Sequence, residues 1–182
     1  MKTREELLTR IPKFSISAEI GVFSGDFSQS IIDIVNPRVM YLVDLFSGKM
    51  ISGDKNGENI RQINLYQSYF NLFRKYLNNP SVRLYRGPSA HFLALLPDDY
   101  LDFIYIDGDH SYHYAKADLE LARNKVRIGG YICGHDYTPK FQGVIQAVDE
   151  FCCAHKMNLQ LTREDKCPSF LIENLKKLSP RS

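Results

Sequence analysis

Two stretches of the chain, DFIYIDGDH at residues 102–110 and YICGHDY at residues 131–137, decide the fold. Each begins with an apolar run typical of a buried strand and ends in acids and a histidine. Residues 111–127 between them have helical character, and Gly129-Gly130 is expected to end that helix. In an open parallel sheet, ligands bind outside the carboxyl ends of the strands. The two polar ends are therefore either turns or parts of an active site.

The composition is that of an ordinary globular protein, with 44% hydrophobic and 24% charged residues. A net charge of +2 without a basic stripe argues against nucleic acid as a partner. No apolar run approaches the roughly 18 residues of a membrane span, and the first residues lack the pattern of a signal peptide. We therefore expect a cytoplasmic protein with no membrane partner. Four cysteines without CxxC spacing predict reduced thiols rather than a zinc site.

Strands and helices are predicted to alternate along a single domain that spans residues 1–182, with a helical lead-in over 1–16 and a frayed tail over 176–182. Polar, glycine-rich residues 47–58 predict a long loop of the kind that often forms a lid. The pattern favours an α/β fold in which helices cover a mainly parallel sheet. Strands are predicted at 17–22, 39–43, 82–85, 102–106, 131–133, 159–161 and 169–173, and helices at 2–10, 26–35, 59–77, 89–96, 111–127 and 144–155.

The first predicted strand runs into a glycine turn, EIGVFSGD at residues 19–26. Gly21 and Gly25 allow the backbone to turn tightly and to approach a ligand closely. The dinucleotide fingerprint would need glycine where Phe23 and Asp26 stand, and an acid at the helix start would repel a pyrophosphate. The turn thus disfavours a diphosphate cofactor and favours a ligand with positive charge. The alternative is a glycine turn that binds no ligand.

Asp44 ends the second predicted strand, about twenty residues after the glycine turn. A carboxylate in that place can accept hydrogen bonds from both hydroxyls of a ribose. The alternative is that Asp44 caps a turn or a helix.

In order and spacing, these motifs resemble class I S-adenosylmethionine-dependent methyltransferases, and more narrowly methyltransferase family 24. The resemblance extends from about residue 17 to residue 151. It implies a Rossmann-like three-layer sandwich around a seven-stranded sheet with strand order 3-2-1-4-5-7-6 and an antiparallel last strand. The motifs that carry it are AEIGVFSG at 18–25, Asp44, IDGDHSY at 106–112, GGY at 129–131, GHDY at 134–137, and the helix with GV at 143–144 and AVDEF at 147–151.

The resemblance also implies S-adenosylmethionine as cofactor. Gly21 and Gly25 would line its methionine and ribose part, Asp44 would hold the ribose, and Ser89 would contact the adenine. Asp107 would lie near its amino group. The full predicted cofactor-binding set is Glu19, Gly21, Phe23, Gly25, Asp44, Ser89 and Asp107.

A divalent metal, Mg²⁺ or Mn²⁺, is a further implication of the resemblance. Related O-methyltransferases bind Mg²⁺ through an acid after the fourth strand and an acidic pair after the fifth, which map by position to Asp107, His135 and Asp136. Mg²⁺ prefers oxygen ligands, so His135 in place of an acid weakens the case for Mg²⁺. Mn²⁺, Fe²⁺, Zn²⁺ or no metal remain alternatives.

The predicted catalytic groups follow the two central strands. O-methylation needs a proton removed from the acceptor oxygen, which an Asp or a His can accept. The sequence does not decide whether Asp109, His110 or His135 is the base. The alternative for Asp109 and His110 is that they form a turn and a helix cap. The full predicted catalytic set is Asp107, Asp109, His110, His135 and Asp136.

Other polar residues are predicted to lie away from the site. His113 is expected to face solvent, and His91 and His155 to be structural or exposed. Asp118 and Glu120 are expected on a solvated face of their helix.

The sequence therefore predicts a methyltransferase that uses S-adenosylmethionine and acts on an oxygen of a small-molecule or sugar-like acceptor, with or without a metal. One alternative is a metal-dependent hydrolase, and another is a non-catalytic nucleotide-binding module on the same fold. The acceptor pocket is expected to come from residues 47–60, 110–115 or 137–143, or from a second subunit. A homodimer is thus an open expectation.

Overall fold

The structure is a computed structural model that describes residues 1–52, 61–163 and 167–175. Nine strands, six α-helices and a short 3₁₀ turn at Pro139–Phe141 occur in this part of the chain. The strands are β1 (Ile16–Ile20), β2 (Val39–Asp44), β3 (Lys49–Ser52), β4 (Arg61–Asn64), β5 (Val82–Arg86), β6 (Leu101–Ile106), β7 (Val126–Gly134), β8 (Leu159–Leu161) and β9 (Phe170–Glu173). The helices are α1 (Arg4–Leu8), α2 (Asp26–Val35), α3 (Leu65–Tyr76), α4 (Ser89–Leu95), α5 (Tyr112–Lys125) and α6 (Gln142–His155).

Seven of the strands form one sheet in the order β5-β2-β1-β6-β7-β9-β8. Neighbouring strands from β5 to β7 are parallel, whereas β9 is antiparallel to both β7 and β8. Numbered in chain order within this sheet alone, the strands follow 3-2-1-4-5-7-6, with the last strand antiparallel. The predicted fold class and strand order are therefore confirmed.

Helices cover both faces of the sheet, which explains why its central strands are buried on both sides. All five residues of β1 are buried. Along β6 the side chains alternate between two cores. Ile104 and Ile106 pack with residues of α4, α5 and α6, while Phe103 and Tyr105 pack with residues of α1, α2 and α3. The sheet is thus the middle of three layers.

A two-stranded hairpin, β3 with β4, was missed by the sequence prediction. The predicted loop at 47–58 contains strand β3, and the predicted helix at 59–77 begins only at Leu65, so both boundaries were wrong. Asn64 is the last residue of β4 and the N-cap of α3. Its side-chain oxygen accepts hydrogen bonds from the N–H groups of Tyr66 and Gln67 at 3.0 and 3.4 Å. Residues 53–58 of the predicted loop and residues 59–60 of the predicted helix lie outside the described residues.

The paired glycines Gly129 and Gly130 do not end α5 as predicted. The helix stops at Lys125, and β7 starts at the next residue, so both glycines lie inside the strand. The pairing of β6 with β7 shifts register here, and a Cβ on Gly130 would lie 2.7 Å from the carbonyl oxygen of Asp102. The glycines therefore accommodate an irregular strand pairing.

No helix among the described residues is long and apolar enough to cross a membrane. All four cysteines are free thiols. Helix α1 occupies part of the predicted helical lead-in, and the predicted frayed tail at 176–182 lies outside the described residues. The single domain stays a prediction.

Candidate active site

The glycine turn after β1 touches the backbone that follows β6. Gly21 has a φ of +87°, and its N–H donates a hydrogen bond to the carbonyl oxygen of Val43 at 2.9 Å. A Cβ at this position would lie 1.9 Å from the carbonyl oxygen of Asp107. Only glycine fits there, since both the conformation and the space exclude a side chain. The predicted cofactor turn and the first predicted catalytic acid are thus in direct contact.

Asp44, at the carboxyl end of β2, holds two neighbouring loops. Its Oδ2 accepts a hydrogen bond from the N–H of Phe23 at 3.0 Å, and its Oδ1 accepts one from the N–H of Phe46 at 2.8 Å. Both phenylalanines have left-handed backbones, with φ of 54° and 45°. Each carboxylate oxygen can accept a further hydrogen bond, so this role is compatible with ribose binding. Ribose binding by Asp44 stays a prediction.

Glu19 is almost completely buried beneath the glycine turn, with 1% of its surface exposed. The hydroxyl of Ser28 in α2 donates a hydrogen bond to its carboxyl group. Burial raises the pKa of Glu19 to about 8, and the negative charges of Asp107 and Asp44 act in the same direction. Glu19 is therefore largely uncharged at neutral pH.

Two histidines and two aspartates meet beyond the ends of β6 and β7. The Nε2 atom of His110 lies 2.7 Å from Oδ2 of Asp136 and 3.9 Å from Oδ1 of Asp107. The Nδ1 atom of His135 lies 3.2 Å from Oδ1 of Asp136 and 3.9 Å from Oδ1 of Asp107. Asp136 reaches this position through a left-handed backbone with a φ of 60°. The structure thus brings together four of the five predicted catalytic residues.

The carboxylates favour positive charge in this cluster. Asp107 and Asp136 raise the pKa of His110 to about 9, so its ring is protonated at neutral pH. Burial lowers the pKa of His135, but Asp136 and Asp107 outweigh burial and raise it overall. Conversely, the two histidines hold the pKa of Asp136 well below its usual range even though burial opposes this. The carboxylates therefore stabilise the protonated form of both histidines.

A divalent metal fits the same atoms. Ligand atoms of Asp107, His110 and Asp136 all lie within 4.8 Å of one another. The Nε2 atom of His110 is buried without a directed hydrogen bond among the described residues, so its 2.7 Å approach to Asp136 is an ionic contact. His110 is the histidine of this ligand-atom group, and Nδ1 of the predicted His135 lies 3.2 Å from Asp136 and 3.9 Å from Asp107. Metal binding by His135 stays a prediction.

Asp109 does not join the cluster. It is exposed, and its Oδ1 accepts a hydrogen bond from the N–H of Ser111 at 2.8 Å. The side chain and N–H of Ser111 lower the pKa of Asp109. This is the turn role that was the alternative for Asp109, and its catalytic role stays a prediction.

Ser89, at the start of α4, donates a hydrogen bond from Oγ to Oδ1 of Asp118 at 2.6 Å. Asp118 is only 5% exposed, so its predicted place on a solvated face was wrong. A signal was present in the sequence, because Asp118 lies three residues after Ala115 and four before Ala122, both of which are buried. Glu120 is half-exposed and contacts His155 at 3.1 Å.

Two further predicted histidines lie away from the cluster, whereas two residues that the sequence analysis missed lie beside it. His91 and His113 are exposed, as predicted. The ring of Phe141 packs on His110 with centroids 4.2 Å apart, and no sequence motif pointed to it. Burial raises the pKa of the Cys167 thiol, and a hydrogen bond with Asp136 raises it further, which places this thiol beside the cluster.

A family model described as a methyltransferase domain matches residues 18–137, which include the glycine turn and both polar strand ends. The chain belongs to methyltransferase family 24. This match confirms the resemblance to class I S-adenosylmethionine-dependent methyltransferases that the sequence motifs predicted. No curated protein sequence matches the chain.

Solved structures share the fold of this family 24 methyltransferase at low sequence identity. NovP, an O-methyltransferase, has a TM-score of 0.65 and 20% identity over 95% of this chain and 80% of its own. SMU.1697c from Streptococcus mutans, in complex with SAH (S-adenosylhomocysteine), has a TM-score of 0.65 and 12% identity over 93% and 94%. Precorrin-6y C5,15-methyltransferase from Geobacter metallireducens has a TM-score of 0.63 and 14% identity over 93% and 84%.

Replacing Glu19 by Gln is expected to stabilise the free protein in a pH-dependent way. The folded-state pKa of about 8 lies above the ordinary value of 4.5. Wild-type stability from this group is therefore complete below pH 4.5 and is lost as the pH rises through 8. Since Gln mimics the protonated acid, the variant should exceed the wild type by roughly 2 to 5 kcal/mol at pH 8.5 and by little at pH 5.

Urea unfolding of both proteins at the two pH values measures this difference. Glu120→Gln, at a half-exposed position, serves as the control and should change little between them. An equal effect of Glu19→Gln at pH 5 and pH 8.5 would show that Glu19 is ionised in the folded protein.

Proposed function

We propose that this methyltransferase transfers the methyl group of S-adenosylmethionine to a hydroxyl oxygen of a small-molecule or sugar-like acceptor. The observation that carries the proposal is the cluster of Asp107, His110 and Asp136, in which a histidine ring faces two carboxylates beside the cofactor turn. Proton removal from a hydroxyl is the chemical requirement of O-methylation, and a histidine held by carboxylates meets it.

The fold alone does not select oxygen as the methyl acceptor. Its structural neighbours include both an O-methyltransferase and a C5,15-methyltransferase. The choice of oxygen therefore rests on the acid–base cluster, which supplies a proton acceptor at the edge where the methyl group would be presented.

The proposed reaction is a single in-line displacement. The bond from the methyl carbon to the cofactor sulfur breaks as the bond to the acceptor oxygen forms, and the hydroxyl proton passes to Nδ1 of His110, the ring nitrogen that does not face Asp136. The products are the methylated acceptor, S-adenosylhomocysteine and an imidazolium that Asp136 stabilises at 2.7 Å. Most of the acceleration would come from holding the two substrates at near-attack distance.

His110 must lose its resting proton before it can act as a base, since its pKa is about 9. The positive sulfonium of the cofactor, bound beside Asp107, would lower that pKa because like charges disfavour each other. Cofactor binding would thus favour the neutral, basic form of His110. Methyl transfer would then remove the positive charge of the sulfonium.

A metal-assisted form of the same reaction is the second candidate. Its support is the donor set of Asp107, His110 and Asp136, whose ligand atoms lie within 4.8 Å of one another. A bound divalent cation would lower the pKa of the acceptor hydroxyl and orient its oxygen. The nitrogen donor favours Mn²⁺ or a later transition metal over Mg²⁺.

The earlier alternatives are less well supported. A metal-dependent hydrolase would use the cluster but would leave the glycine turn and Asp44 without a role, and the family match includes that turn. A non-catalytic module would keep cofactor binding without turnover. A small-molecule acceptor, the absence of nucleic acid and membrane partners, a homodimer and a cytoplasmic location stay predictions.

A calorimetric titration with S-adenosylhomocysteine tests the proposal. Asp44→Ala should weaken binding by about tenfold or more, because it removes the acceptor of two loop N–H groups as well as the expected ribose contact. Asp136→Ala should bind normally and lose methyl transfer to hydroxyl acceptors in a screen with labelled S-adenosylmethionine.

Asp33→Asn, on the exposed face of α2, is the matched control and should behave like the wild type. Failure of the wild type to bind S-adenosylhomocysteine at millimolar concentration would overturn the proposed function. Normal cofactor binding by both Asp44→Ala and Asp136→Ala would contradict the division of roles.

Metal binding is expected to depend on His110. The wild type should bind Mn²⁺ by calorimetry, and His110→Gln should weaken that binding by at least about tenfold. His113→Gln, exposed and three residues along the chain, should bind Mn²⁺ as the wild type does. A larger loss in His135→Gln than in His110→Gln would favour the ligand set predicted from the sequence.

A further inference from the structure

Helix α3 presents an apolar stripe to solvent. The stripe consists of side chains three or four residues apart, each between 39% and 62% exposed: Tyr66, Phe70, Phe73 and the C-cap residue Leu77. The outer face of a surface helix is normally polar. These four side chains expose roughly 350 Å² of apolar surface, and an apolar patch of that size on a monomer often marks an interaction site.

The stripe continues into a groove beside the edge of the main sheet. This groove of about 300 Å³ lies between α3 and β5, with Phe73 and Leu77 on one wall and Val82 and Leu84 on the other. Strand β5 is at one end of the seven-stranded sheet, and no strand in the described part of the chain pairs with its outer side. The stripe, the groove and the open edge together form one surface, the α3–β5 surface.

The outer side of β5 presents backbone groups that can form hydrogen bonds. Directly after the strand, the N–H of Gly87 donates a hydrogen bond to the carbonyl oxygen of Asp44 on β2 at 3.0 Å. Peptide groups alternate in direction along a strand, so those of Leu84 and Arg86 point away from β2. An edge with outward N–H and C=O groups is a template for a strand of another chain.

The charges on β5 decide how two copies of this edge can pair. Its two arginines, Arg83 and Arg86, are exposed. In an antiparallel pair with a two-fold axis at Leu84, Val82 lies opposite Arg86 of the second copy. Arg83 then lies opposite Tyr85, so no arginine faces an arginine. An axis at either arginine would place two like charges directly opposite each other, which is destabilising.

An axis at Leu84 also satisfies the backbone of β5. Leu84 is the middle residue of the strand, so all five residues of each copy are paired. Its outward N–H and C=O groups meet those of the second Leu84, as required for a hydrogen-bonded antiparallel pair. The edge is therefore complementary to itself, which is the property of a two-fold interface between identical chains.

The same pairing brings the two apolar stripes together. Val82 and Leu84 pack in the core that contains α3 residues, so they lie on the α3 side of the sheet. The two-fold axis of an antiparallel strand pair is perpendicular to the sheet, and both α3 helices therefore lie on one face. The two stripes supply roughly 700 Å² of the 1,200–2,000 Å² that stable interfaces bury, and the paired strands and groove walls add to it.

We propose that the α3–β5 surface is a homodimer interface, in which the β5 strands of two copies pair antiparallel about a two-fold axis at Leu84. The two sheets join into one, and the α3 stripes cover each other. The inference does not depend on the proposed function.

Sedimentation velocity of the full chain, from low to high micromolar concentration, tests the interface. The wild type should be dimeric. Phe73→Asp and Leu77→Asp should each raise the dissociation constant of the dimer at least about tenfold, because each substitution buries two carboxylates per dimer. Leu161→Asp, at a residue 38% exposed on the opposite edge strand β8, is the matched control and should dimerise as the wild type does.

Disulfide trapping tests the register. Leu84→Cys should form a covalent dimer under mild oxidation, because residue 84 lies opposite its own copy at a Cα distance of about 5.5 Å. Arg86→Cys, which lies opposite Val82, should stay at the background level given by the four thiols of the wild type.

Circular dichroism of every variant shows whether a change in assembly comes from loss of the fold. A wild type that stays monomeric at high micromolar concentration would overturn the proposal and leave the surface to another partner. A dimer that persists in both folded α3 variants, or that is lost only in Leu161→Asp, would place the interface elsewhere. Stronger trapping of Arg86→Cys than of Leu84→Cys would contradict the axis at Leu84.

Discussion

The contact between the turn after β1 and the loop after β6 is the constraint on which the site depends. The two backbones approach so closely here that a Cβ on residue Gly21 would lie 1.9 Å from the carbonyl oxygen of Asp107. This approach of two backbones puts the cofactor turn directly beside the acids of the neighbouring strand. Through Asp107 it also sets where His110 lies, three residues further along the chain.

Acidic side chains gather along the same edge because several strands each end in an acid. Glu19 near the end of β1, Asp44 at the end of β2, and Asp107 and Asp136 beyond β6 and β7 all lie there. They differ in state, since burial leaves Glu19 protonated, whereas histidines keep Asp136 ionised. An edge of this kind favours a cationic ligand such as a sulfonium, and it disfavours a pyrophosphate.

The structure also separates acids that position the backbone from acids that face the reaction. Asp44 holds Phe23 and Phe46 in left-handed conformations, so its carboxylate organises the pocket before any ligand binds. Such strain persists only where the surroundings over-determine it. Asp109 similarly serves a turn, and Asp118 joins two helices at the start of α4. Proximity in sequence to a motif is therefore a poor guide to role.

The sequence by itself determined the order of strands and helices, because buried parallel strands and amphipathic helices leave periodic patterns that local physics enforces. It missed the β3–β4 hairpin, since the short segment Arg61–Asn64 precedes a helix with similar apolar spacing. It placed Asp118 on the wrong face, and it did not show that His110 and His135 both contact Asp136. Tertiary structure decided these points, because the left-handed turn at Asp136 and the packing of α4 on α5 join residues far apart in the chain, and spacing carries no record of such contacts.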